Sequence, residues 1–275
     1  MRRSTSACGP VRLQPIAGLA RPLALHTHDP AADLVSARLW QERAWEPFET
    51  RLWISAQRGG DTVVDVGANL GYFSLLSALA ESGAGRVIAF EPAADNFALL
   101  TANLRLNHCH KGVHAVHAAL GARSGPGTLQ RSEENRGDHQ IFRGDGKRAG
   151  EAIRVLAGVE ALAGRVDRID LLKIDTQGSE AAVVAGLWPL LEASRSSLRL
   201  LIELTPFSLA LAGSSGRALV ERLAGLDLPM AIVDHVGHEL VPSSPADLAR
   251  WCDNVAATPG DRGFMNIFVG QAPAL

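Results

Sequence analysis

A mostly parallel, seven-stranded α/β sheet with helices on both faces is the architecture this 275-residue sequence predicts. Three observations carry it. Short runs of β-branched and apolar residues alternate with helical apolar spacing from residue 61 onward. A glycine-bearing turn, Asp65-Val66-Gly67-Ala68-Asn69-Leu70-Gly71, joins the first such strand to its helix. Acidic residues recur where strands end, at Glu91, Asp175 and Glu203. Strands alternating with helices form parallel sheets, because a parallel pair cannot be closed by a tight turn and needs a crossover, usually a helix.

Residues 1–30 open with Arg2 and Arg3 and are interrupted by Pro10, Pro15 and Pro22. They read as a poorly ordered arm and not as a secretion signal, since no long apolar stretch follows the basic start. Residues 31–60 read as a helical segment, with Leu34, Leu39, Trp40, Trp45, Phe48, Leu52 and Trp53 spaced to share a face. Pro47 restarts the helix and Gly59-Gly60 stop it. The main domain spans 61–275. Its first strand is 62–66, followed by a helix marked by Tyr72, Leu75, Leu76 and Leu79. A second strand at 86–90 precedes a helix carrying Phe97, Leu100 and Leu104, and a third strand covers 113–120. Residues 121–150 are rich in Gly, Arg, Asp and Glu and read mainly as loop, with a short strand pair near Thr128-Leu129 and Gln140-Ile141-Phe142. Strands at 169–174 and 198–204 flank a helix at 180–193, and another helix covers 217–226. Late strands at 230–233 and 266–269, separated by a weak helix at 245–252, are expected to pair antiparallel at the sheet edge.

Composition narrows the partners. A net charge of −2 offers no broad field for a phosphate backbone, so nucleic acid is not expected. Cys8, Cys109 and Cys252 are odd in number and scattered, which fits reduced thiols in a cytoplasmic protein and neither a disulfide framework nor a metal clip. No apolar run approaches the roughly 20 residues of a membrane helix.

The glycine turn departs from the dinucleotide fingerprint. Asn69 stands two residues after Gly67, where G-x-G-x-x-G needs a glycine, and the next glycine is Gly71. The pattern D-x-G-x-x-x-G suits a nucleotide ligand without a pyrophosphate to cradle, such as S-adenosylmethionine. Glu91, about 20 residues beyond the turn at the end of the second strand, is placed to accept hydrogen bonds from ribose hydroxyls, and Pro92 fixes the chain behind it. The third segment, Asp170-Leu-Leu-Lys-Ile-Asp175-Thr-Gln-Gly-Ser-Glu180, ends a buried strand with Asp175 on the same edge. Glu180 reads best as an acid complementing the start of a helix.

These three segments, Asp65–Gly71, Phe90-Glu91-Pro92 and Leu172–Glu180, resemble the FkbM-type methyltransferases. The resemblance implies a Rossmann-like class I methyltransferase fold, S-adenosylmethionine as cofactor, and most often O-methylation of natural products or sugars. It implies cofactor contacts at Gly67, Asn69, Gly71 and Glu91, near Asn96, and around Ala119 and Leu120; Asp65, Pro92 and Asp175, in the same motifs, are further cofactor-binding candidates. Ser179 and Gln177 depart from the bulky residue and the Glu common in the family, on the acceptor side of the site. His139, in the polar loop beside Asp138, is the candidate base, with Asp175 and Glu203 as further catalytic candidates. No metal is assigned, although Asp138, Asp175 and Glu203 are the oxygen ligands a hard cation would take. A small-molecule acceptor is the expected partner, without nucleic acid or membrane, and with a homodimer left open. The competing expectations are carboxylate or N-methylation, a nicotinamide-dependent oxidoreductase, and a non-catalytic adenosylmethionine-binding module.

Overall fold

The computed structural model describes residues 9–130 and 150–275. The chain begins with a two-residue hairpin pair, β1 (Val11–Arg12) and β2 (Ala24–Leu25), and two helices, α1 (Leu34–Glu42) and α2 (Pro47–Ala56). Then come β3 (Thr62–Val66), α3 (Tyr72–Leu79), β4 (Arg86–Phe90), α4 (Ala94–Leu106) and β5 (Val113–Val116). A side sheet uses β6 (Ala119–Gly121), β7 (Gly125–Gln130) and β8 (Gly150–Ala157), and α5 (Gly158–Leu162) follows. The remainder is β9 (Leu171–Ile174), α6 (Glu180–Ala193), β10 (Arg199–Leu204), α7 (Pro206–Leu211), α8 (Gly216–Ala224), β11 (Met230–Asp234), β12 (Glu239–Pro242), α9 (Pro245–Ala257) and β13 (Met265–Gly270).

The central sheet runs β12-β11-β13-β10-β9-β3-β4-β5. The pairs from β10 to β5 are parallel, and β13 is antiparallel to both β10 and β11. The mostly parallel α/β architecture is therefore as expected, with an eighth strand, β12, added by a hairpin from β11. The late strands do pair antiparallel, but β13 slots between β10 and β11 instead of lying at the rim.

Strand alternation divides the core into two faces. Val64, Val66, Leu172, Ile174, Leu200 and Ile202 face α6, α8 and α9. Val63, Leu171, Leu201 and Phe268 face the opposite layer, where Phe48, Leu52 and Trp53 of α2 pack with Phe73, Leu75 and Leu76 of α3. The second layer makes the N-terminal helices part of the fold's main core. Trp53 is fully buried and donates Nε1–H to Ser77 Oγ at 2.8 Å.

Two expectations change. Residues 9–30 are not a loose arm: Val11 and Leu25 are fully buried, and Asn103 of α4 and Asn107, its C-cap, bond the backbone of His26 and Ala24. The third strand ends at Val116, because Ala118 turns back onto the Val116 carbonyl and Ala119–Gly121 pair with β8 in the side sheet. Thr128 and Leu129 sit in a strand that, among the described residues, pairs with β8, antiparallel; Gln140–Phe142 lie outside the described residues. Among the described residues no helix is long and apolar enough to cross a membrane.

Candidate active site

The chain runs β3, β4, β5 in one direction across the sheet and resumes at β9 on the other side of β3. The switch point falls between β3 and β9, where ligands of doubly wound sheets bind beyond the strands' C-terminal ends. Gly67 sits there at φ +84, and a Cβ on it would collide with the Asp175 carbonyl oxygen. Gly71 holds φ +91 with Leu100 so close that a Cβ would meet Cδ1 at 2.6 Å. Asn69 between them is also left-handed, at φ 50, a conformation Asn tolerates better than most residues. The turn is thus a backbone device: side chains are excluded so that β3, β9 and α4 can close on it.

Glu91 locks this turn. Its Oε2 accepts the Asn69 N–H at 2.8 Å and its Oε1 accepts the Ala93 N–H at 2.8 Å. Burial pushes its carboxyl up to about 7, against the pull of those amides and of Asn96. Asn96 also meets His28 Nε2 through Oδ1 at 2.7 Å, so it supports Glu91 and ties the N-terminal residues to the site. The Pro92 carbonyl lies 3.1 Å from His117 Nε2. Ala119 and Leu120 are buried in β6 beside this end of the sheet.

A second group lies across the switch point. Asp65 and Lys173 are register partners, and Lys173 pairs in turn with Leu201. Asp175 and Glu203 continue the same face one step further toward the strand ends. Lys173 Nζ donates to Asp175 Oδ2 at 2.7 Å and lies over the Phe73 ring at 4.6 Å. Burial works against its charge, but Asp175, Glu46 and Asp65 hold it protonated above the usual lysine range. Gln177 bridges the two candidate carboxylates, donating to Asp175 Oδ1 at 3.0 Å and Glu203 Oε2 at 2.7 Å. Burial raises the Glu203 carboxyl well above its ordinary value, and the Asp175 and Glu180 charges add to the rise. Burial likewise raises Asp65, whose Oδ2 accepts from Ser74 Oγ at 2.6 Å. Glu180 is a structural clamp, accepting the Thr176 and Gly178 amides at 2.9 Å each.

His139 and Asp138 lie outside the described residues. Sequence patterns passed over Lys173, Gln177 as a bridge, and Glu46. The signal for Glu46 was Glu46-Pro47 at a helix start, since Pro at the first helical position marks the preceding residue as the cap. Among the described residues no group of His, Cys, Asp and Glu is arranged to hold a metal ion. A surface groove of about 510 Å³ lined by His114, His117, Arg154 and Arg165 follows the outer strand β5, three strands from β9.

This topology, with its glycine turn at the switch point, defines a nucleotide-binding α/β protein of the Rossmann-like class. The family model of the methyltransferase FkbM domain matches residues 65–223, more than half of the sequence, and the chain belongs to the FkbM methyltransferase family. Methyltransferase sdnD of Sordaria araneosa is 34% identical over 155 residues, covering 46% of this chain and 60% of that protein. Among solved structures, methyltransferase FkbM from Methylobacillus flagellatus is 16% identical with a TM-score of 0.47, covering 76% of this chain and 43% of that one. Precorrin-6y C5,15-methyltransferase from Geobacter metallireducens is 12% identical with a TM-score of 0.45, covering 86% of this chain and 92% of that one.

The cofactor that goes with this family is S-adenosylmethionine, and the residues present fit it. Asp65 Oδ1 and Asn69 Oδ1 are buried with no hydrogen-bond partner among the described residues. An orphaned buried acceptor costs about 1–3 kcal/mol. Both oxygens call for a ligand with N–H or O–H groups, which an amino-acid ammonium and ribose hydroxyls supply.

Proposed function

We propose that this chain transfers the methyl group of S-adenosylmethionine to a hydroxyl on a small molecule. The observation that carries the reading is the Gln177 bridge between Asp175 and Glu203, which sets two carboxylates beside the turn that fits the cofactor. When bound, the cofactor supplies an electrophilic methyl on a sulfonium. The chain's own residues do the rest. Glu91 and Asn69 would hold the ribose side, and Asp65 the amino-acid side. Asp175 and Glu203 orient the acceptor, and the Asp175 carboxylate favours the sulfonium charge. His139 remains a candidate base from the polar loop. A carboxylate or amine acceptor would use the same frame.

The relative named as a methyltransferase in Sordaria araneosa supports the activity class. A nicotinamide reading is disfavoured by Asn69 at the second fingerprint position. Titration calorimetry is expected to find micromolar binding of S-adenosylmethionine and none of NAD, and radiolabelled methyl is expected in neutral hydroxylated acceptors. Glu91→Ala leaves the Asn69 and Ala93 amides unpaired and should weaken cofactor binding by about 100-fold, since truncating a buried hydrogen-bonded charge costs about 2–5 kcal/mol. Tight binding retained in that variant would reject the assignment.

A further inference from the structure

The N-terminal helix α2 brings a carboxylate to the active-site edge that no motif marks. Two contacts fix its course. Glu49 Oε1 accepts from Asn266 Nδ2 at 3.4 Å, and Asn266 is the register partner of Glu203. The helix's far end lies at the start of β10, where the Arg199 guanidinium donates to the Ala56 carbonyl. Helix α2 therefore runs antiparallel to β10, and its N-terminus stands over the C-terminal edge of the sheet. Glu46 is the N-cap of this helix, three residues before Glu49 and so on the same helical side.

Its local structure is wasteful for a cap. An N-cap carboxylate ordinarily accepts an amide of the first turn, but Glu46 makes no side-chain cap bond. Its backbone is left-handed, at φ 42 and ψ 67, which strains a non-glycine residue. The titratable and charged groups that bear on its carboxyl, or on which it bears, are Arg38 on α1, Glu49 on α2, Tyr72 on α3, Lys173 and Asp175 at β9, and Glu203 on β10; His238 also packs against α2, on the Phe48 ring. Strain without a capping gain, at the sheet's reactive edge, is the pattern of a residue held for function.

Resting on the methyltransferase reading above, we propose that Glu46 faces the position of the transferred methyl and accepts the acceptor's proton. In that step the Glu46 carboxylate takes the hydroxyl hydrogen, the acceptor oxygen bonds the methyl carbon, and the sulfur keeps the electron pair of the broken C–S bond. Burial holds the Glu46 carboxyl at about 7, with Lys173 opposing the rise, so the base is poised near neutral pH.

The test needs no acceptor. Sinefungin carries an ammonium where the cofactor carries its methyl, and S-adenosylhomocysteine carries nothing there. Wild type should prefer sinefungin over S-adenosylhomocysteine, and the preference should grow as pH rises through about 7. E46Q should lose about tenfold in sinefungin affinity and keep its S-adenosylhomocysteine affinity within twofold, a tenfold change being the usual yield of a close charge pair. E46G relieves the left-handed backbone, so it should gain thermal stability while losing the same preference. A wild type that binds neither ligand overturns the methyltransferase reading along with this one. A wild type that binds S-adenosylhomocysteine without an ammonium preference, or E46Q or E46G retaining that preference, overturns the Glu46 assignment alone.

Discussion

The two halves of the proposed active site are built by different physics. The cofactor half is a backbone structure: Gly67, Asn69 and Gly71 hold left-handed angles, and Glu91 closes on main-chain amides within a span of about 20 residues. The acceptor half is assembled from side chains of α2, β9, β10 and β13, which are far apart in sequence and meet only in the folded sheet. It is also crowded with charge, with Asp175, Glu203, Glu46 and Asp65 grouped around Lys173. The first half should fail by steric exclusion, the second by electrostatic imbalance.

The largest effect is expected at Gly67. An alanine there must adopt φ +84 and push its Cβ into the Asp175 carbonyl, separating β3 from β9. Left-handed backbone costs about 1–2 kcal/mol for an L-residue, and the collision adds to it, for a total of about 3–5 kcal/mol. At this chain length that is a fall of about 10 °C in Tm by calorimetry. A Gly67→Ala protein of unchanged Tm would show the turn to be looser than its contacts.

Lys173→Met sharpens the contrast from the other side. It removes the ammonium from Asp175 and leaves grouped carboxylates without their counter-charge. Breaking such a pair costs about 3 kcal/mol when one partner is as exposed as Asp175, whose side chain is 30% accessible. The loss should shrink at pH 5, where Glu46, raised by burial to about 7, is protonated in the fold and Glu203 is shifted the same way. Denaturant unfolding at pH 5 and 8 checks this. A loss independent of pH would mean that packing against Phe73, not charge, is what Lys173 supplies.

This division also explains what could be read from the sequence. The strand–turn–helix at 62–79 and the helix at 180–193 are set by local spacing, and both stand where the spacing puts them. The glycine turn is legible because glycine and asparagine are the residues that reach its angles. Asp175 and Glu203 were visible as acids ending buried strands. The side sheet was not: β8 is an ordinary Gly150–Ala157 stretch until it finds β6 and β7 through tertiary contacts. Docking of residues 9–30 was hidden for the same reason, since it depends on Asn103 and Asn107, about 80 residues away. Glu46-Pro47 marks a helix cap but not the role proposed for Glu46, which depends on α2 running antiparallel to β10. A helix's direction across a sheet leaves no trace in its own residues.

The smallest and most diagnostic effect is expected at Glu203. Its carboxyl is raised in the fold by burial and by the Asp175 and Glu180 charges. A raised acid keeps its proton in the folded chain after the unfolded chain has released it. Its contribution is therefore full below about pH 4.3 and is lost as pH rises through the folded value. Glu203→Gln imitates the protonated acid, and its side-chain oxygen still accepts from Gln177. The variant should match wild type near pH 4.5 and exceed it by about 1 kcal/mol at pH 8, read from urea midpoints. Cofactor affinity should hold, because Glu203 lies outside the turn closed by Glu91. Equal stability at both pH values would mean that the acceptor half carries no charge strain at Glu203 and that the contrast between the halves is one of sequence distance alone.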